Sequence, residues 1–223
     1  MKKRSLGLVV FVLFITLSTI PALYAQQATS KGKMKFLVIS ERKDIYFALS
    51  QEEQKKIEAA SDKYLKQVLA AGDFLKFYNI PGWNRAVSIE QYENIEALYK
   101  HFEEDPYYGY VNFEVYPLYE TEMDDEIAAK AKSDSKKMKF LVINEAKDIY
   151  YTLPADERGK IDEESPFHPG DLLKIHSIPG WNRAVAIEQY DSIESLYNHF
   201  EEDSYYPYAN FEVYPLVEVD LTE

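Results

Sequence analysis

Ile80-Pro-Gly-Trp-Asn-Arg-Ala-Val87 stands unchanged a second time as Ile178-Pro-Gly-Trp-Asn-Arg-Ala-Val185, and Asn112-Phe-Glu-Val-Tyr-Pro-Leu118 returns as Asn210-Phe-Glu-Val-Tyr-Pro-Leu216. Upstream, Met34-Lys-Phe-Leu-Val-Ile39 recurs as Met138-Lys-Phe-Leu-Val-Ile143. The offset is 104 at the start and 98 later, so the second copy lacks six residues, lost between Ser61 and Asp73. Roughly three quarters of the aligned later positions are identical, far more than a shared fold alone would preserve. The chain is one unit written twice. The polar stretch from Thr121 to Lys137 reads as a linker with a short helix through Ile127 to Ala131.

Each copy carries the same order of signals. Phe36 to Ile39 is a short apolar run, a strand buried on both faces. Ile57, Ala60, Tyr64, Leu65, Val68 and Leu69 recur at helical spacing until Gly72 ends the helix. Phe74 to Ile80 and Arg85 to Tyr92 are strands around a Pro-Gly-Trp-Asn turn. Ile95, Leu98, Tyr99 and Phe102 form the stripe of a second helix, and Phe113 to Leu118 is a last strand. The order β-α-β-β-α-β is the split βαβ, ferredoxin-like unit. Its helices cover one sheet face, so the other face needs a partner. The expected fold is α+β: two tandem ferredoxin-like domains, 34–120 and 138–218, closing sheet against sheet into an intramolecular dimeric α+β barrel.

The starting Met-Lys-Phe-Leu-Val, the Ala71-Gly72-Asp73 junction and above all Tyr110-Val-Asn-Phe-Glu-Val-Tyr-Pro-Leu118, with Tyr208 to Leu216 in the second copy, resemble muconolactone isomerase. The resemblance covers about 85 residues twice. It implies the dimeric barrel, a proton-transfer isomerase acting on an unsaturated lactone, and no cofactor.

Lys2, Lys3 and Arg4 precede an apolar run from Leu6 to Ile20, then Pro21 and Ala25, the pattern of a secretory signal peptide over 1–25. The expectation is an exported protein, periplasmic or secreted. Across 223 residues, 25 Lys and Arg face 38 Asp and Glu, a net charge of −13. Such a chain is repelled by phosphate backbones and anionic lipid, so nucleic acid and membrane partners are not expected after cleavage. A small-molecule ligand is the expected partner, with the domains pairing within the chain and a homo-oligomer left open. With no cysteine, disulfides, thiol nucleophiles and zinc–thiolate sites are excluded.

Strand alternation places Leu75, Phe77, Val87, Ile89, Phe113 and Val115 beneath the helices. The opposite set is Lys76, Tyr78, Ser88, Glu90, Asn112, Glu114 and Tyr116, and in the second copy Lys174, His176, Ala186, Glu188, Asn210, Glu212 and Tyr214. Lining a barrel, Glu114 or Glu212 would serve as base and Lys76 or Lys174 would stabilise an enolate-like oxygen. The alternative is a solvated face with cross-strand ion pairs. Tyr78, His176, Glu90, Glu188, Tyr116 and Tyr214 are the candidate ligand contacts. Trp83 with Arg85, and Trp181 with Arg183, would meet an anionic or aromatic ligand at a barrel mouth; turn chemistry explains the same Pro and Gly.

His101 and His199 sit near helix C-termini, where an imidazole complements the dipole; a metal reading would add Asp105. No metal site is assigned. His168 lies in Pro166-Phe-His-Pro-Gly170, which lacks counterparts of Tyr64, Leu65, Val68 and Leu69. The second copy has therefore lost a strip of core covering, which leaves either a more open pocket or a purely structural partner. The readings that remain are a cofactor-free isomerase-like protein acting on or binding a small organic acid or lactone, a non-catalytic ligand-binding protein, and a cofactor-free monooxygenase-like barrel.

Overall fold

The computed structural model describes residues 32–120, 132–164 and 171–219. The signal peptide over 1–25, the helix expected within the linker and the loop carrying His168 lie outside them. In the first copy β1 (Met34–Arg42) leads through α1 (Asp44–Phe47) and α2 (Gln51–Ala70) to β2 (Phe74–Ile80) and β3 (Arg85–Tyr92). Then come α3 (Ile95–Glu104), a 3-10 turn at Tyr108–Tyr110 and β4 (Val111–Glu120). The second copy runs β5 (Met138–Ala146), α4 (Asp148–Thr152), α5 (Ala155–Glu164), β6 (Leu172–Ile178), β7 (Arg183–Tyr190), α6 (Ile193–Glu202), a 3-10 turn at Tyr206–Tyr208 and β8 (Ala209–Glu218).

The local chemistry accounts for the element boundaries. Ser50 caps α2 by accepting from the Glu53 amide while Glu53 reaches back to the Ser50 amide, a reciprocal capping box. Gly72, at φ +75°, takes the left-handed conformation that turns the chain out of α2. Gly82 and Gly180 do the same in the two Pro-Gly-Trp-Asn turns, at φ +79° and +76°. Asn94 and Ser192 cap α3 and α6 through the Ala97 and Ser195 amides.

Hydrogen-bonded neighbours follow the order β1-β3-β2-β8-β5-β7-β6-β4 and close on themselves as one eight-stranded antiparallel barrel. This corrects the expectation of two tandem ferredoxin-like α+β domains set sheet against sheet. Within each copy the edge strands, β2 and β4 or β6 and β8, leave a row of main-chain N–H and C=O groups with no partner. Those groups pair edge to edge: Tyr78 and Asn79 of β2 oppose Glu218 and Val217 of β8, and Tyr119 and Glu120 of β4 oppose Ser177 and His176 of β6. Edge pairing satisfies polar groups that stacking two sheet faces would leave open.

The described residues fall into two compact units. One comprises 32–120 with 176–179 and 214–219, and both edge ladders just named lie inside it. Beneath α3, its core gathers Phe36, Val38, Tyr92, Leu98 and Phe102, with Phe113 and Val115 against them. The other comprises 132–164, 171–175 and 180–213. There Phe140, Val142, Leu172, Ala186, Tyr190, Leu196 and Phe200 pack together, with Phe211 and Val213. Full burial of a Leu or Phe side chain in such a cluster contributes about 1.5–3 kcal/mol.

Register settles which strand face is which. Phe36 stands opposite Glu90 and Val38 opposite Ser88, so Ser88 and Glu90 share the helix-covered face. The alternation reading had put them on the other face. That other face carries Leu37, Ile39, Val87 and Ile89, all buried. On β4 the reading holds, since Val115 pairs with Val38 while Glu114 pairs with Ile39. A register shift between Phe74 and Lys76 resets β2.

Candidate functional site

Turning Glu90 beneath α3 buries a carboxyl group, at 2% exposure, among apolar side chains. Ser88 Oγ donates to Glu90 Oε1, and His101 Nε2 lies 3.8 Å from Glu90 Oε2. Burial pushes the Glu90 carboxyl up to about 7 against the opposing pull of the hydrogen bond from Ser88. His101 is held below its ordinary value, mainly by burial, although Asp105, Asp73 and Glu104 pull the other way.

The His101 ring is boxed in. Tyr64, from α2, stacks on one side at 5.3 Å between centroids and 14° between planes. Tyr92 stacks at 5.4 Å and 24°, and Phe74 closes an edge at 5.7 Å. The Tyr64 hydroxyl lies 2.9 Å from His101 Nδ1 and donates to the His101 carbonyl at 3.0 Å. Burial, then the nearby carboxylates Glu104 and Asp105, pushes the Tyr64 phenol far up, so it stays protonated.

The second copy repeats the trio. Glu188 is buried and raised to about 7 by desolvation, and Tyr190 donates to its Oε2 at 3.0 Å. Ala186 replaces Ser88, so the tyrosine hydroxyl takes over the donor role. Tyr190 and His199 lie 5.6 Å apart at 33°. Here α5 has 10 residues where α2 has 20. Beside His199 lies a pocket of about 250 Å³ lined by Lys137, Asp171, Tyr190, Asp191, Ser195, Asn198, His199 and Glu202. Lys137 bonds Asp171 at 2.7 Å. Three carboxylates against one paired lysine make the lining acidic. Among the described residues, no cluster of three or more metal-binding side chains occurs.

The sequence-derived candidates are placed as follows. Glu114 and Glu212 are exposed, and Tyr116 donates to Glu114 at 3.3 Å. Lys76 is exposed and pairs with Glu218 at 2.5 Å, while Lys174 is half-buried. Tyr78, His176 and Tyr214 are buried. Arg85 bonds Glu41 at 2.7 Å and lies over Trp83, whose ring meets Tyr214 edge-on at 5.7 Å. Arg183 bonds Glu145 at 2.8 Å and lies over Trp181. Of the candidates, only Glu90 and Glu188 belong to the buried trios. Sequence reasoning passed over Tyr64, Tyr92 and Tyr190 as site residues, although the repeated Glu-Gln-Tyr at 90–92 and 188–190 carries the pairing.

Comparison with known proteins bears on the fold. No family model matches the chain, and no curated protein matches it in sequence. Solved structures do match. A mutant chlorite dismutase from Candidatus Nitrospira defluvii superimposes with TM-score 0.64 at 9% identity, covering 89% of this chain and 96% of that one. The same organism's chlorite dismutase in complex with imidazole gives TM-score 0.60 at 9% identity, covering 87% and 95%. A heme-binding protein from Thermus thermophilus gives 0.57 at 13%, covering 85% and 92%. The chain shares the fold of these proteins.

These matches overturn the resemblance to muconolactone isomerase, and with it the cofactor-free isomerase reading. The tail motif that carried that resemblance is strand and core sequence, which records how a sheet packs rather than what it catalyses. The base and amine roles given to Glu114, Glu212, Lys76 and Lys174 belonged to that reading and are not carried further.

Heme is the group the fold neighbours bring forward, and the described pocket does not fit it. Pockets for drug-sized ligands run to about 300–1,000 Å³ and are mostly apolar. At about 250 Å³, with Asp171, Asp191 and Glu202 in its wall, this one is too small for a macrocycle and repels anionic propionates. No chemical step is derived through heme.

Proposed function

We propose that this protein binds a small molecule, and that its site is the pocket of the second copy beside His199. The observation that carries the reading is the concave, hydrogen-bonding pocket built on α6 and the end of β7. Its acidic lining favours neutral or cationic ligands over anions. Its volume favours a single ring. The likeness to a chlorite dismutase in complex with imidazole supports a barrel of this kind accepting compact ligands. A second reading, heme binding, is favoured by the heme-binding fold neighbour together with a buried histidine in the pocket wall; the size and charge of the pocket weigh against it.

The test is ligand-dependent thermal stabilisation with compact ring compounds, imidazole and phenols among them, alongside titration with hemin. Asn198 is exposed and lines the pocket, so Asn198→Trp fills the space without disturbing the core. Stabilisation by a compact compound in the wild type, lost in Asn198→Trp, is expected. No shift from any of them overturns the reading, and a Soret shift lost in His199→Ala replaces it with heme binding.

A further inference from the structure

The eight residues repeated without change at the two hairpins carry more than a turn requires. Pro81 and Gly82 build the first turn, with Gly82 at φ +79°, and the Asn84 carbonyl locks it by accepting from the Arg42 amide at 2.9 Å. None of this calls for an indole. Yet Trp83 follows and stays 53% exposed, forgoing the burial that its large apolar surface would otherwise gain. The ring is nonetheless held in place. The Arg85 guanidinium lies over it, 5.5 Å from the centroid, and is itself fixed by Glu41 at 2.7 Å. Tyr214 meets the indole edge-on at 5.7 Å. Asn84 is exposed, and its side chain makes no hydrogen bond among the described residues. The second copy repeats the plan: Trp181 is 55% exposed, Arg183 lies 5.3 Å from its ring and bonds Glu145 at 2.8 Å, and the Asn182 carbonyl accepts from the Ala146 amide at 2.8 Å. None of these residues lines the pocket beside His199.

A fixed, half-exposed indole edged by polar groups is a recognition surface, and the charges around it select the ligand. Arg85 has no spare charge to offer an anion, since Glu41 bonds it and Glu114 adds a second negative field. A ligand cation finds the chain's own guanidinium already in the cation–π position. A wholly apolar ligand would strip water from Asn84, Arg85 and Glu41 and return no hydrogen bond. What remains is an uncharged molecule with a flat apolar face and a rim of hydroxyls. We propose that the Trp83 turn, and the Trp181 turn likewise, is a binding site for a neutral sugar. A pyranose ring rests on the indole, with its hydroxyls hydrogen-bonded to the Asn84 amide and to the outer edge of the Arg85–Glu41 pair. A polymer of repeating rings presents the same face many times, which suits a chain that carries the site twice.

The chain has two tryptophans and both stand in these turns, so indole fluorescence reports on these sites alone. The full chain is titrated with maltohexaose, cellohexaose and mannohexaose, and with hexagalacturonate as the charged control. A saturable emission shift with at least one neutral hexasaccharide, and protection from acrylamide quenching, are expected; hexagalacturonate should produce neither. A second readout does not use the indole: migration in native gels containing the corresponding soluble polysaccharide. The wild type should be retarded, Trp83→Ala and Trp181→Ala each less so, and Trp83→Ala/Trp181→Ala not at all. In the Trp181→Ala background, Asn84→Ala should weaken binding about fivefold, the worth of one hydrogen bond. Should a variant not fold, the wild-type titration alone decides. No shift with any neutral hexasaccharide overturns the proposal, and so does retardation that persists in Trp83→Ala/Trp181→Ala. A larger shift with hexagalacturonate would overturn it in favour of an anion site. A shift with phosphatidylcholine vesicles and with no sugar would overturn it in favour of a membrane contact.

Discussion

Glu90 and Glu188 show what burial does to one residue. In the folded chain each carboxyl is raised to about 7 from its ordinary 4.5, with desolvation as the leading cause. A group whose folded pKa is raised binds its proton more tightly in the folded state. Its contribution is present below the unfolded value and lost as pH rises through the folded one. Each glutamate is thus worth about 3 kcal/mol at low pH, lost between about pH 4.5 and pH 7. His101, held down by burial, acts with the opposite sign: stability falls as pH drops below its ordinary 6.5. Urea unfolding across this range should show stability declining toward neutral pH, and Glu90→Gln or Glu188→Gln should flatten that decline. A variant curve as steep as the wild type would show that these carboxyls ionise freely. The sequence displayed Glu90 as one of two polar residues alternating with Val87 and Ile89, which ordinarily marks the wet face. It could not display that His101, on α3, lies against the carboxyl, because that contact is made across elements.

At the scale of elements, the two copies diverge in how the first long helix of each is buried. The helical stripe Ile57 to Leu69 was legible, and α2 forms with Ser61 and Val68 buried. Its counterpart α5 has no buried residue. An isolated helix of that length is marginal without tertiary packing. Amide hydrogen exchange should therefore be markedly faster in α5 than in α2, and equal protection would contradict the packing described. The second helices are the reverse case: Leu98 and Leu196 are fully buried at matching positions. Leu98→Ala and Leu196→Ala should each cost about 2–5 kcal/mol in denaturant unfolding, and a loss below about 1 kcal/mol in either would place that leucine outside the core.

For the whole molecule, the repeat and the strands could be read from the sequence, while the manner of union could not. Identical repeats state that two like sheets exist. Whether they meet by faces or by edges depends on main-chain groups, which no side-chain pattern encodes. The edge ladders are short, so single hydrogen bonds matter in them. The Val219 amide donates to the Phe77 carbonyl at 3.0 Å. Val219→Pro removes that donor and should cost about 1–3 kcal/mol, with faster amide exchange in β2; unchanged exchange there would argue against the β2–β8 pairing.

The central claim is that the pocket beside His199 binds a compact small molecule. The chain has four histidines, which makes NMR of histidine-labelled protein tractable. On titration with the compact ring compound that stabilises the protein, a saturable shift of the His199 resonance is predicted, while that of His101, which does not line the pocket, stays in place. A His199 resonance that does not move at a saturating concentration of that compound would contradict it.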